Sequence, residues 1–402
     1  MPLNANRIHQ RSARQGLDRR AFLRVLAGSA MATSALTCLR PAFAVPGQRR
    51  LVLVELSGAN DGLNTLVPFK DERYHALRPN LGLHERDLIS LNPDFGLHNE
   101  LQPLMATWEA GELALVQGLG YPAPNRSHFS SIQLWETGGD GNRQQQQGWL
   151  THDIEHRYPM AALDAHGICF DGRMGVFNSA SGNWLSMSSA TQFSDAPDIQ
   201  TVQGSTGNPS LDAVLASGRT LKQSIDAIST RMERANLSSG IRSSALAGQM
   251  NHVVNMINAG VNTPVLKVSL SGFDTHENQQ GRHRNLMRSL AVALGGLRRE
   301  LKQSGEWDNT LVMTYSEFGR RAGENRSGGT DHGTASVHFV AGGRVKGGLY
   351  GNHPDLGQLV DDDLVHTMDY RALYQEVLAS WLQIPDNRFH AYREPGLTDL
   401  LA

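Results

Sequence analysis

Acidic and imidazole side chains follow two apolar runs of this sequence, at the point where each run ends. Asp274 and His276 come after residues 265–270, and Glu317 comes after residues 310–315. Both runs predict buried strands, and ligands and metals gather at the carboxyl ends of strands in open α/β sheets. Carboxylate oxygens and imidazole nitrogens are ligands of divalent metals. The spacing therefore predicts one polar site to which two strand ends contribute.

Two other interpretations of these residues stay open at this point. Asp274 could instead cap a helix that begins near Glu277. Glu317 could form a salt bridge with Arg320 or Arg321 and still offer its other oxygen to a metal. Capping would not require an imidazole two residues after the acid, which favours the metal interpretation of the first pair.

Two further sets of residues extend the predicted site. Asp331 and His332 lie side by side in a glycine-flanked loop. Asp61 lies beside Asn60, directly after the apolar run 50–56, which predicts a first buried strand. An Asn-Asp-Gly sequence is also common in turns, so Asp61 is either a turn residue or a carboxylate that supports a metal or polar substrate.

Ser127 is the predicted nucleophile, and Arg126 and His128 on either side of it complete the predicted catalytic residues. Asn125 is a suitable helix N-cap, which would place Ser127 in the first turn of a helix, between Arg126 and His128. The helix dipole and the free N–H groups at that end favour a developing anion. The alternative is an ordinary serine at a helix start. The catalytic interpretation requires that the acid and histidine loops lie opposite it.

The elements that must position these residues alternate between strands and helices. Apolar runs at 50–56, 113–117, 265–270, 310–315 and 336–340 are separated by segments of helical periodicity. This order predicts the α/β class, with a three-layer αβα arrangement around a mostly parallel, doubly wound sheet. We expect a single domain over residues 45–402, with an irregular and helical excursion at about 171–260.

The first 44 residues have the pattern of an export signal. Arg19 and Arg20 form a twin-arginine pair, a short apolar run follows, and an Ala-x-Ala sequence predicts cleavage after Ala44. The run is too short and too rich in small residues for an integral membrane span. Lipidation of Cys38 is a minor alternative. We therefore predict the twin-arginine export machinery as a partner, and a periplasmic or secreted protein.

Charge and cysteine content exclude other classes. The predicted signal holds seven of the 37 basic residues and one of the 39 acidic residues, so the mature chain has a formal net charge of −8. That balance argues against nucleic acid as a partner. Cys169 is the single cysteine that remains after cleavage, so we expect no internal disulfide, and its apolar neighbours predict that it is buried.

Five segments together resemble the exported bacterial family known as domain of unknown function 1501. They are residues 57–68, 125–129, 273–276, 316–320 and 330–335. That family is similar to a distant branch of the alkaline phosphatase and sulfatase superfamily, so the resemblance implies an alkaline-phosphatase-like fold. It also implies a divalent metal cofactor, namely one or two ions of zinc, calcium or manganese.

The resemblance further implies roles for individual residues. It assigns Ser127 as the nucleophile, and with the observations above it gives six predicted metal ligands: Asp61, Asp274, His276, Glu317, Asp331 and His332. Two positions depart from the superfamily pattern, because Glu317 stands where an aspartate is usual and Phe318 stands where a ligand histidine is usual.

Two functions follow from these observations. The first is an exported, metal-dependent hydrolase or transferase of phosphate or sulfate esters, acting on a small-molecule or glycan-linked ester. The second is a non-catalytic envelope or polysaccharide-associated binding or assembly protein with a degenerate metal site, which Phe318 favours.

Overall fold

The computed structural model describes residues 48–141, 145–187, 206–235 and 239–401. The predicted signal peptide, its cleavage site and Cys38 lie outside the described residues. Part of the predicted excursion at 171–260 lies outside them as well.

The described strands form one large and one small sheet. They are β1 (Arg50–Ser57), β2 (Leu66–Val67), β3 (Leu88–Ser90), β4 (Gly96–His98), β5 (Leu113–Gly120), β6 (Gly167–Cys169), β7 (Trp184–Ser186), β8 (Val265–Ser271), β9 (Thr310–Tyr315), β10 (Ser336–Gly342), β11 (Gly348–Tyr350) and β12 (Met368–Asp369). The small sheet is antiparallel and contains β2, β4 and β3.

The described α-helices connect these strands. They are α1 (Glu72–Leu77), α2 (Met105–Glu109), α3 (His128–Thr137), α4 (Thr151–Arg157), α5 (Pro209–Arg234), α6 (Ala247–Asn258), α7 (Gln279–Ser304) and α8 (Tyr370–Glu376). A π-helical turn, Val377–Trp381, continues α8. None of the described helices is long and apolar enough to cross a bilayer.

The large sheet is centred on β1, which lies between β8 and β9 and runs parallel to both. The strand order is β11, β5, β10, β9, β1, β8, β6, β7, and β12 also pairs with β5. Among the described strands of this sheet, only β10 runs antiparallel to its neighbours. The predicted mostly parallel sheet is therefore confirmed.

The reversal of β10 follows from its connection to β9. The chain leaves β9 at Tyr315 and re-enters the sheet at Ser336 in the opposite direction. Antiparallel neighbours need no crossover helix, so residues 316–335 stay at one edge of the sheet. The apolar pattern of residues 336–340 predicts a strand but gives no sign of its direction. The consequence of the reversal is that the start of β10 lies at the same edge as the ends of β1, β8 and β9.

Helices cover both faces of the large sheet, which confirms the three-layer α/β architecture. One hydrophobic core joins one face of the sheet to α6 and α7. A second core joins the other face to α3, α4 and α8. Helix α7 packs on the sheet through one apolar face. The leucines of that face recur every three or four residues and are all buried: Leu290, Leu294, Leu297 and Leu301.

The helix that carries the predicted nucleophile begins later than the sequence suggested. Ser127, not Asn125, is the N-cap of α3, so the predicted cap position was wrong. The reason is local, because the Asn125 side chain accepts a hydrogen bond from the Ser127 backbone N–H (2.8 Å) and forms a turn before the helix. The second interpretation of Asp274, as a helix cap, was also wrong, because Asn278 is the N-cap of α7.

Gly58 allows the end of β1 to lie against the end of β8. Its φ is +109°, and a Cβ there would lie 2.4 Å from the Asp274 backbone nitrogen. Gly272 also has a positive φ, +114°, but a Cβ there would meet only the end of the flexible Leu286 side chain at 3.5 Å. Close contact between backbones at the site therefore depends on Gly58 and not on Gly272.

Replacing these two glycines separates backbone strain from steric clash. Both Gly58→Ala and Gly272→Ala place a side chain at positive φ, which costs about 1–2 kcal/mol. We expect Gly58→Ala to lower the free energy of unfolding by about 2 kcal/mol more than Gly272→Ala, because its methyl group also displaces backbone. Urea unfolding of both variants measures the difference, and equal losses would contradict the close contact.

Candidate functional site

Three histidine rings direct Nε2 toward one carboxylate oxygen at the carboxyl edge of the sheet. The distances to Asp274 Oδ1 are 3.1 Å from His276, 3.3 Å from His332 and 3.4 Å from His128. Asp274 and His276 follow β8, His332 lies in the connection between β9 and β10, and His128 is the first residue of α3. Three chain segments thus supply one cluster.

The hydrogen bond of His128 to Glu317 determines which ring nitrogen of His128 is free. His128 Nδ1 lies 2.7 Å from Glu317 Oε1, and a carboxylate only accepts, so Nδ1 carries the hydrogen. His128 Nε2 is buried without a hydrogen-bond partner. In the neutral ring this nitrogen carries the lone pair that a metal ion requires. The hydrogen bond to Glu317 raises the pKa of His128, so a bound metal would have to displace a proton from this ring at low pH.

The other two histidines are oriented in the same way. His332 Nδ1 lies 2.8 Å from the Arg126 carbonyl oxygen, and His276 Nδ1 lies 2.9 Å from Asp331 Oδ1. Both partners accept, so both Nε2 atoms offer a lone pair toward Asp274. Burial lowers the pKa of His332, which favours the neutral form that a metal ligand needs.

The distances from Asp274 Oδ1 to the three Nε2 atoms fit neighbouring donors of a tetrahedral ion. The group whose donor atoms all lie within 4.8 Å of one another contains His128, Asp274 and His332 but not His276. Zinc binds imidazole nitrogen and carboxylate oxygen at about 2.0–2.1 Å, so neighbouring donors lie about 3.3–3.4 Å apart. The three contacts of Asp274 Oδ1 lie at or near that length, and the two Nε2 atoms of His276 and His332 are 2.9 Å apart. His128, Asp274 and His332 form a candidate metal-binding group.

The charges of the cluster also fit a divalent cation. Asp274, Glu317 and Asp331 carry three negative charges when ionised, and the adjacent Arg320 carries one positive charge. With neutral histidines the cluster has a net charge of −2, which a divalent ion would balance.

Arg320 holds the chain segments of the cluster together. Its guanidinium is fully buried and donates to four backbone carbonyl oxygens, those of Gly58, Ala59, Phe273 and Thr330. It also donates to Asp274 Oδ1 at 2.6 Å. A planar group with five donors can satisfy several acceptors at once. This one side chain therefore holds together the segment after β1, the segment after β8 and the loop at Thr330.

The contact with Arg320 sets the ionisation of Asp274. Burial by itself would raise the pKa of Asp274, but the hydrogen bond and charge of Arg320 lower the pKa to about 2. Asp274 is therefore ionised at neutral pH. The predicted pairing of Glu317 with Arg320 or Arg321 is not the one observed, because Arg320 contacts Asp274 and Glu317 contacts His128.

Glu317 is held at the end of β9 by backbone and side-chain donors. Its Oε1 accepts from the Gly58 N–H at 2.9 Å, and its Oε2 accepts from the Ser316 hydroxyl at 3.2 Å. The side chain is almost completely buried. Glu317 thus lies behind His128, and Asp331 lies behind His276, whereas the sequence predicted both acids as direct ligands.

Ser127 lies between two residues that contact the cluster. The Arg126 carbonyl binds His332, and His128 belongs to the cluster itself. Ser127 is exposed, and its hydroxyl makes no capping hydrogen bond to α3. The Arg126 side chain points to Asp363, at 2.9 Å, and not to the histidines.

Asp61 belongs to a separate buried ion pair. Its Oδ2 lies 2.7 Å from Arg78 Nη1, and neither side chain is exposed. Asp61 also accepts from Gln279, whose Oε1 accepts from Thr275 and Thr330, the residues before His276 and Asp331. The structure therefore places Asp61 behind the loops of the cluster and not among its donors.

The sequence predicted His128 as a catalytic residue beside Ser127 and did not predict its contact with Glu317 and Asp274. It predicted Arg320 as a partner for Glu317. The positions relative to strand ends gave no signal for either contact, since both depend on segments distant in sequence. The Phe318 ring packs against both His128 and His332, with centroid distances of 4.9 and 5.0 Å. Phe318 thus forms one apolar wall of the cluster.

Removal of the Arg320 guanidinium tests its structural role. Arg320→Met leaves Asp274 and four carbonyl oxygens without their donor, so we expect the free energy of unfolding to fall by about 3–5 kcal/mol. The matched control is Arg326→Met, which replaces an exposed arginine nearby and should change stability by less than about 0.5 kcal/mol. Guanidinium unfolding curves measure both. Equal effects of the two replacements would contradict the role given to Arg320.

Several solved structures are similar to this chain at low sequence identity. Among similar solved structures is a protein of the alkaline phosphatase superfamily from Vibrio parahaemolyticus, with 11% identity and a TM-score of 0.36, covering 78% of this chain and 64% of that chain. Another is the lipoteichoic acid synthase LtaP from Listeria monocytogenes, with 11% identity and a TM-score of 0.35. That match covers 82% of this chain and 77% of the synthase chain. A third is alkaline phosphatase from the Antarctic bacterium TAB5, with 9% identity and a TM-score of 0.36, covering 74% and 92%.

A family model matches most of the chain. A search of curated proteins found no match. The family model described as "Protein of unknown function (DUF1501)" matches residues 90–386, which include His128 and the whole β8 to β10 region of the cluster. The segment 57–68 lies outside the matched residues. The chain belongs to the DUF1501 family.

Proposed function

We propose that this protein is a metal-dependent hydrolase or transferase of phosphate or sulfate esters. One observation carries the proposal: three imidazole Nε2 atoms and one carboxylate oxygen converge beside an exposed serine at the start of a helix. A divalent ion and a helix N-terminus both favour a multiply charged oxyanion. The phosphate and sulfate groups of esters are such oxyanions.

The donor set favours one zinc ion. Three imidazole nitrogens and one carboxylate oxygen suit zinc, whereas manganese and calcium prefer sets made mostly of oxygen ligands, so both fit the cluster less well. His128, His276, His332 and Asp274 would hold the ion. When bound, the ion would polarise an ester oxygen and lower the pKa of a hydroxyl beside it.

Ser127 supplies the nucleophile in this proposal. Its hydroxyl oxygen attacks phosphorus or sulfur, a bond to serine forms, and the bond to the ester oxygen breaks. The serine proton leaves with the departing alcohol. Water or an acceptor alcohol then attacks the serine ester and restores the free hydroxyl, which gives hydrolysis or transfer. The amide N–H groups at the start of α3 would bind the transferring oxyanion.

The remaining acids orient the ligands in this scheme. Glu317 and Asp331 accept from the Nδ1 atoms of His128 and His276, which fixes the ring orientations and tautomers. Asp61 supports the loops through Gln279. The substrate would be a small-molecule or glycan-linked ester met after export through the twin-arginine route.

Metal content tests the ligand assignment. We expect zinc-loaded, dialysed protein to retain about one equivalent of metal, and His332→Gln or Asp274→Asn to lose it, because loss of a ligand weakens binding far more than the roughly 10–100-fold effect of an orienting residue. Inductively coupled plasma mass spectrometry gives the ratio.

The matched control is a second histidine pair on the surface. His152 and His156 are exposed on α4, with their Nδ1 atoms 3.1 Å apart, and could themselves take up zinc. The double replacement His152→Gln/His156→Gln should retain the tightly bound ion. Metal loss in this control, or full retention in His332→Gln, would refute the assignment.

Removal of the nucleophile tests the catalytic proposal. We expect Ser127→Ala to lower turnover of 4-nitrophenyl phosphate or sulfate by at least about 100-fold while metal content stays the same. Ser130→Ala, in the same helical turn, is the control and should remain active. Release of 4-nitrophenol reports the rate, and unchanged turnover in Ser127→Ala would exclude serine as the nucleophile.

The non-catalytic alternative has a distinct signature. Phe318 lies against two histidines where a second set of ligands would otherwise form, which favours a reduced site. A binding or assembly protein would bind metal and an oxyanion but release no 4-nitrophenol from any ester, and its ligand binding would survive Ser127→Ala.

A further inference from the structure

Phe129 is the most exposed large apolar side chain among the described residues, with 89% of its surface accessible. Isolated exposed apolar residues are ordinary on protein surfaces, so exposure alone carries little weight. What distinguishes Phe129 is its position. It follows His128 directly and lies two residues after Ser127.

The helical geometry places Phe129 at the rim of the cluster. Consecutive Cα atoms are about 3.8 Å apart, so Phe129 begins within one residue of a candidate metal ligand. Successive helical residues are rotated by about 100°, which turns Phe129 away from the face that carries His128 and the buried Ser131. Its backbone is therefore next to the cluster, and its side chain is in solvent.

The segment that presents Phe129 is held by its own hydrogen bonds. The Tyr121 hydroxyl accepts from the Asn125 N–H at 3.0 Å and lies 2.6 Å from the Ser131 hydroxyl. Arg126 forms an ion pair with the buried Asp363 at 2.9 Å. Because this turn is fixed at both ends, the ring is presented in a defined place and little ordering is needed when a ligand contacts it.

We propose that Phe129 is a specificity-determining residue that stacks on a ring in the uncharged part of the ester. The identity of the ligand rests on the proposed function, since the oxyanion would occupy the metal cluster while its organic part lies over Phe129. An aromatic face offers apolar area and a polarised π-system to such a ring. The Phe129 contact then selects ring-bearing esters over small alkyl esters.

Binding of non-hydrolysable analogues tests the contact without requiring turnover. The probes are phenylphosphonate and methylphosphonate, with benzenesulfonate and methanesulfonate as the sulfur pair, titrated into zinc-loaded protein by calorimetry. We expect the phenyl member of the bound pair to bind about tenfold more tightly than the methyl member, as a single ring contact provides. Phe129→Ala should remove that preference and Phe129→Tyr should keep it.

A second exposed apolar residue supplies the matched control. Val360 is 62% exposed, so Val360→Ala should keep the phenyl preference. Equal binding of phenyl and methyl ligands in the native protein, or a preference that survives Phe129→Ala, would overturn the inference.

The two proposals fail in different ways in this design. A phenyl preference that depends on Phe129 without turnover of any ester would leave the ring contact standing and exclude the catalytic function. Turnover that depends on Ser127 without a phenyl preference would do the reverse. Failure of all four ligands to bind zinc-loaded protein would overturn both.

Discussion

The buried guanidinium of Arg320 is the interaction on which the candidate site depends. It binds backbone carbonyl oxygens after β1, after β8 and at Thr330, together with the carboxylate of Asp274. The segments that carry these carbonyls come from different parts of the sequence, and parallel strands bring them only to the same edge of the sheet. A charged group with several fixed donors then sets their spacing, and the buried charge is balanced by Asp274.

From that arrangement the chemistry of the histidines follows. Each of the three rings donates from Nδ1 to a carboxylate or carbonyl, and each leaves Nε2 facing Asp274 Oδ1. Such partners behind metal-binding histidines fix tautomer and orientation. The buried Nε2 atom of half-buried His128, which has no hydrogen-bond partner, is the strongest sign that the cluster suits a cation, because a buried polar atom without a partner is costly.

The sequence predicted the strands that carry the site better than the contacts between its side chains. Strand periodicity and the acids that follow it correctly located Asp274, His276 and Glu317 at one edge, because apolar patterning and strand ends are local properties. Ion-pair choice is not local. Asp61 pairs with Arg78, and Glu317 pairs with His128, and no spacing in the sequence distinguishes these partners from the alternatives. The orientation of His128 depends on where α3 begins. Because Asn125 forms a turn, the helix begins two residues later than the sequence predicted.

We propose that His128, His276, His332 and Asp274 together hold one divalent ion. Crystals grown with zinc and measured with X-rays on either side of the zinc absorption edge would show whether they do. We expect one anomalous peak about 2.0–2.2 Å from the three Nε2 atoms and from Asp274 Oδ1. A peak at Asp61, or no peak at this cluster under saturating zinc, would contradict it.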